Sequence, residues 1–140
     1  MYTLDINNSK KHAFKTVVTY GIVSILTYIV NKVYGLFGHG VSSASMTWMF
    51  LYPLIGGVLI YGLIWFIIPR IKEIPGYRGF YNIYNSGIAI LTVASFMRGI
   101  FEIAGTDSPY LKYYFMVGWS FIIFSIFLMI VSTLQYKMKL

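Results

Sequence analysis

Five ionisable residues carry most of the chemistry available to this 140-residue chain: Lys32, His39, Arg98, Glu102 and Asp107. They lie in or beside long apolar stretches. An ionised side chain placed there costs about 2.5–3.5 kcal/mol on insertion scales and is a functional hypothesis by default. Two cations, Lys32 and Arg98, against one nearby carboxylate favour an anionic group: a lipid phosphate, a carboxylate or a halide. A structural reading competes with this. Arg98 and Glu102 stand four apart and can pair on a helix surface, and Lys32 is close enough to an interface to snorkel.

Other chemistries have thinner support. Ser42, Ser43 and Ser45 lie near His39, and Asp107 is expected on the same side. A nucleophile, base and orienter could be drawn from them, which would make an outer-leaflet enzyme using His39. Any serine-rich loop with one histidine allows as much, and no G-x-S-x-G, H-E-x-x-H or phosphate-loop pattern accompanies it. No catalytic residue is therefore assigned. The two histidines, His12 and His39, are expected on opposite membrane faces, so one chain cannot make a bis-histidine haem or a multi-histidine zinc site. Ligation by His39 with Met46 or Met49 has nothing specific behind it, and the seven methionines read as core filler. No metal or cofactor is expected. Cysteine is absent, which excludes thiol–disulfide shuttling and structural disulfides.

These residues must be positioned by four apolar segments, expected over residues 14–34, 47–68, 81–103 and 113–136. Each exceeds the ~20 residues that a helix needs to cross a ~30 Å hydrocarbon core. Apolar residues make up 58% of the chain and charged residues 11%, against ~25% charged in an ordinary soluble domain. The mean hydropathy is +0.71. Residues 47–68 contain no charge, Asn or Gln, so that helix has no polar face. Helices apolar all round belong in a membrane or in a core larger than 140 residues can build. The expected fold is an all-α integral membrane protein with four transmembrane helices.

The net charge of +7 reads as topology rather than as nucleic-acid binding. Lys10 and Lys11 precede the first segment and Lys15 stands at its start. Arg70, Lys72 and Arg78 lie between the second and third, and Lys137 and Lys139 follow the fourth. By the positive-inside rule both termini face the cytoplasm, and a plasma (inner) membrane is the expected location. The same basic residues suit anionic lipid heads. Residues 1–12 read as a short polar cytoplasmic tail, and 13–140 as one transmembrane domain. The first apolar segment is too long for a signal-peptide core and reads as an uncleaved span.

Two segments carry polar stripes. Tyr20, Ser24, Thr27 and Asn31 recur at helical spacing on the first. Thr92 and Ser95 join Arg98, Gly99 and Glu102 on one broad face of the third. Such faces pack inward or line a path. Small residues mark close packing at Gly56 and Gly57, where a neighbouring backbone could approach, and at Gly118, Ser125 and Ser132 on the fourth. Pro53 is expected to kink the second helix. The halves also resemble each other: Gly21-Ile22 and Lys32 match Gly87-Ile88 and Arg98, while Gly35-Leu36-Phe37 matches Gly99-Ile100-Phe101 after a two-residue slip. Two parallel-repeat helical hairpins would follow, bringing Lys32 and Arg98 face to face near the outer surface.

The functional expectation is a small non-enzymatic membrane protein. It would bind a partner or an anionic or amphiphilic ligand at its outer face, as an accessory subunit of a larger membrane system. Its expected partners are the bilayer, an anionic lipid or small anion, and another membrane protein or a second copy. The alternatives are a homo-oligomeric channel or small-solute transporter, and the His39 enzyme. Coupled transport has weak support, because no carboxylate lies deep in any span.

Overall fold

The computed structural model describes residues 2–67 and 71–138. Among these the secondary structure is all helical, with no strand. Helix α1 runs Tyr2–Phe37. The second membrane-length rod, Ala44–Ile67, is built from α2 (Ala44–Trp48), a π-helical stretch (Tyr52–Leu59) and α3 (Ile60–Ile67). A 3-10 turn at Ile71–Glu73 leads to α4 (Tyr77–Ile103), and α5 spans Leu111–Met138. Among the described residues, four helices are therefore long and apolar enough to cross a membrane.

The helices exceed the apolar segments at several ends. The polar residues before Phe14 continue α1 back to Tyr2. No Pro or Gly occurs before Gly21, so nothing interrupts helix propagation there. The connection between the first two segments, residues 35–46 by their expected bounds, shrinks to 38–43 in the structure. Ser43 caps α2, its Oγ accepting from the Met46 N–H at 3.0 Å, and the helix starts at Ala44 rather than near Thr47. Likewise α4 begins at Tyr77 instead of Tyr81. Gly76 at its N-cap has φ 88°, a left-handed conformation that glycine adopts without Cβ strain. Arg70 and Lys139, named above, and position 68 at the end of the second segment lie outside the described residues.

Pro53 produces a π-helical stretch rather than a simple kink. It has no N–H to donate, and the wider winding lets the Ile60 N–H reach Ile55 O, five residues back. This places Gly56 and Gly57 against two different neighbours. A Cβ on Gly57 would sit 2.1 Å from the Tyr20 ring, and one on Gly56 would sit 2.2 Å from Ile88 Cδ1. Small residues alone suggest a neighbouring backbone here; the structure places side chains instead, a tyrosine ring from α1 and an isoleucine from α4.

Helix α4 is the centre of the fold. It buries Phe80, Tyr84, Gly87, Ile88, Leu91, Ala94, Ser95 and Gly99, which recur at three- and four-residue steps over a broad arc. One side meets α1 and the second rod. There the Asn85 Oδ1 accepts hydrogen bonds from both Tyr20 and Tyr61, each at 2.7 Å, and Tyr84 donates to Gly56 O at 2.8 Å. The Tyr20 and Tyr61 rings stack at 5.8 Å. The opposite side meets α5, where the Gly118 carbonyl lies 3.0 Å from a Cβ built on Gly87. Gly118 and Ser125 are buried in this contact, and Ser132 lies beside Gly76. Small residues let these two helices approach closely. The remaining surface of α5, including Ile123, Phe124 and Phe127, is exposed and apolar.

Candidate functional site

Because α5 packs along α4, a groove remains between α5 and the second rod. Its volume is about 750 Å³. The floor is a single stripe of α4: Tyr84, Ile88, Leu91, Ser95, Arg98 and Glu102 all line it. Their steps of four, three, four, three and four keep them on one face. At ~1.5 Å per residue the stripe is about 27 Å long, close to the ~30 Å hydrocarbon thickness. One wall comes from the second rod through Trp48, Leu51, Tyr52 and Ile55. The other comes from α5 through Phe115, Trp119, Ile122 and Ile126. Polarity is segregated along this floor: Ser95, Arg98 and Glu102 stand at one end, with Leu91 and Ile88 beyond them.

The polar end is held by the turn before α2. Glu102 accepts from Ser43 Oγ at 2.5 Å, Ser45 Oγ at 2.6 Å and Arg98 Nε at 3.2 Å, with a longer contact from Ser45 N–H at 3.4 Å. Ser95 donates to Ser45 O at 2.8 Å. Gly99 permits this docking, since a Cβ there would lie 2.6 Å from Met46 Cβ. The Glu102 carboxylate is thus engaged on both oxygens. Arg98 uses only its Nε, its side chain is 57% exposed, and its Nη groups make no hydrogen bond among the described residues. A planar guanidinium with free donors suits an oxyanion.

Of the five ionisable residues singled out from sequence, contacts join only Arg98 and Glu102. Lys32 places its Nζ 5.4 Å from the centroid of its own helix's Tyr28 ring. His39 adopts φ 48° in the turn after α1, and its Nδ1 lies 2.9 Å from Phe37 O. Asp107 Oδ1 accepts from the Ser108 N–H at 2.7 Å. None of these three shares a hydrogen bond or ion pair with the Arg98–Glu102 pair among the described residues. Ser43 and Ser45, considered above as nucleophiles, instead donate their hydroxyls to Glu102.

The polar stripes are largely satisfied within the helices. Ser24 donates to Tyr20 O, Thr27 to Ser24 O and Thr92 to Ile88 O. Tyr20 instead bonds across to Asn85, and Ser95 to Ser45 O. Asn31 is half-buried near the end of α1. Among the described residues no group of three or more His, Cys, Asp or Glu side chains could hold a metal ion. Sequence reasoning missed Asn85, although an amide more than two turns inside an apolar helix was a usable signal. The apolar half of the α4 stripe was also missed, because isoleucine and leucine in a membrane helix mark no face by themselves. Comparison with protein-family models, curated proteins and solved structures finds no match.

Proposed function

We propose that the protein is a small integral membrane protein that holds an anionic amphiphile in the groove between its second and fourth spans. The observation that carries this reading is the α4 stripe, with Arg98 and Glu102 at one end of a long apolar floor. Arg98 receives the anionic head. Glu102, saturated by Ser43, Ser45 and Arg98, fixes the guanidinium without taking its Nη donors. The tail lies over Leu91 and Ile88, between Leu51 and Ile55 on one side and Trp119 and Ile122 on the other. With Lys10, Lys11, Lys15, Lys72, Arg78 and Lys137 on the cytoplasmic side, both termini are inside and Arg98 stands near the outer face of a plasma membrane. A non-enzymatic, accessory role fits a site that binds without an assembled nucleophile and base.

Brominated lipids test this. Trp65 is replaced by phenylalanine, leaving Trp48 and Trp119, both in the groove walls, as reporters. In phosphatidylcholine nanodiscs doped with a small fraction of brominated phosphatidylglycerol, quenching should saturate and exceed that by brominated phosphatidylcholine. Arg98→Gln should remove the excess. An equal excess in Arg98→Gln would sink the assignment of Arg98 to the head group.

A further inference from the structure

A second pocket lies at the opposite end of α4, with a volume of about 490 Å³. It is lined by His12 of α1, Lys72 of the 3-10 turn, and Tyr77, Arg78, Tyr81 and Asn82 at the start of α4. Three separate segments thus bring two permanent cations and an imidazole to one cavity. No carboxylate lines it among the described residues. Glu73, next to Lys72 in the chain, is exposed and makes no ion pair among the described residues. The side chains of Lys72, Arg78 and Asn82 likewise make no hydrogen bond there, whereas the Tyr81 hydroxyl lies 3.2 Å from Thr16 Oγ1 and His12 packs edge-on against the Tyr81 ring at 5.5 Å. The cavity therefore presents donors, converging like charge and a fixed aromatic wall. Like charges gathered around an empty space repel until an anion neutralises them.

We propose that this pocket binds a phosphate group, the shared chemistry of an anionic lipid head and a free phosphate. It is separate from the Arg98 groove: Arg78 and Arg98 are about 30 Å apart along α4 at ~1.5 Å per residue. Lys72 and Arg78 supply the charge, Arg78 in a fork that matches two phosphate oxygens, and Tyr77 and Asn82 supply neutral donors. A basic pocket between spans at the membrane surface is the arrangement that recognises phosphorylated head groups.

The test uses the full chain in a neutral maltoside detergent, with thermal stability followed against ligand concentration. Dihexanoyl phosphatidic acid should stabilise the protein saturably, and dihexanoyl phosphatidylcholine should not. The double variant Lys72→Gln/Arg78→Gln should raise the half-saturating concentration by about tenfold or more, as expected for loss of charge-assisted contacts. Lys10→Gln/Lys11→Gln removes the same charge from α1 outside the cavity and should leave it unchanged; all variants are made in an Arg98→Gln background, which removes the groove's own head-group contact. Inorganic phosphate acting alone would identify free phosphate as the source. Stabilisation by phosphatidic acid only would identify the lipid head; either result supports the pocket. Absence of saturable stabilisation by both ligands overturns it. So does an equal loss in the Lys10/Lys11 variant, which would mean bulk charge. Stabilisation that appears only while Arg98 is intact would assign the effect to the groove and overturn the pocket. Should the double variant not fold, exposed Lys72→Gln alone should still weaken binding severalfold, and an unchanged midpoint would refute the proposal.

Discussion

Replacing Asn85 by leucine should be among the most damaging changes of similar size that this protein can suffer. One amide oxygen accepts from two phenol hydroxyls, Tyr20 of α1 and Tyr61 of α3, both at 2.7 Å. Tyr61 is only 1% exposed, so water cannot replace the lost partner. A buried donor left unsatisfied costs about 1–3 kcal/mol. Interhelical hydrogen bonds inside membranes reach at most about 1.7 kcal/mol, because the unfolded reference finds partners too. Two orphaned hydroxyls, each between the low end of the first range and that ceiling, give about 2–3 kcal/mol. Tyr20→Phe or Tyr61→Phe alone keeps the ring stacking and leaves Asn85 its other donor, so each should cost about 0.5–1.5 kcal/mol. The triple variant Tyr20→Phe/Tyr61→Phe/Asn85→Leu has no orphaned group. It should be more stable than Asn85→Leu alone, despite carrying two further substitutions. Unfolding of the full chain by SDS in mixed micelles measures all four. A loss below about 0.5 kcal/mol for Asn85→Leu, or simple additivity in the triple variant, would refute the hub.

Gly57→Ala should destabilise by about 1–3 kcal/mol through overpacking against Tyr20, whereas Gly21→Ala, with nothing within 4 Å of its Cβ, should be neutral or mildly stabilising in the same titration. Glu102→Gln removes the ion pair with Arg98 and weakens the acceptor for Ser43 and Ser45. Amide exchange at Ser45 and Met46 should accelerate about tenfold or more, as for loss of a charge-assisted bond; unchanged protection would show that the turn is held by Ser95 and Gly99 packing instead. Ile55→Phe, at an exposed position of the groove wall, should crowd the tail and reduce the excess quenching by anionic lipid while Arg98 is intact; persistence of that excess would place the tail elsewhere. Cysteine introduced at buried Ser24 should resist polar thiol reagents, because its neighbours on the α1 stripe bond to α1 carbonyls or to Asn85. Rapid labelling would revive the aqueous path.

The Arg98–Glu102 pair is legible in the sequence alone, since a four-residue spacing on a helix admits that contact directly. Its partners are not. Ser43 and Ser45 lie 59 and 57 residues from Glu102, and nothing local to either stretch signals a bond between them. The same limit applies to His39, Lys32 and Asp107. Span order places them at one end of the molecule, but local contacts take each of them: a turn carbonyl, a tyrosine ring one turn back, and the next residue's N–H.

Apolar length determined from sequence alone that there are four membrane-length helices, because a ~20-residue run without charge has one economical conformation in hydrocarbon. Spacing determined which residues share a face. The tertiary structure decided how the helices are arranged. The π-helical stretch after Pro53 puts Gly57 on Tyr20 and Gly56 on Ile88, and Gly87 and Gly118 bring α5 onto α4. In a bilayer, lipid and neighbouring helix are equally apolar, so hydropathy cannot say which face is covered. Steric fit at a few small residues and hydrogen bonds between distant segments make that choice. The groove along α4 is what they leave open.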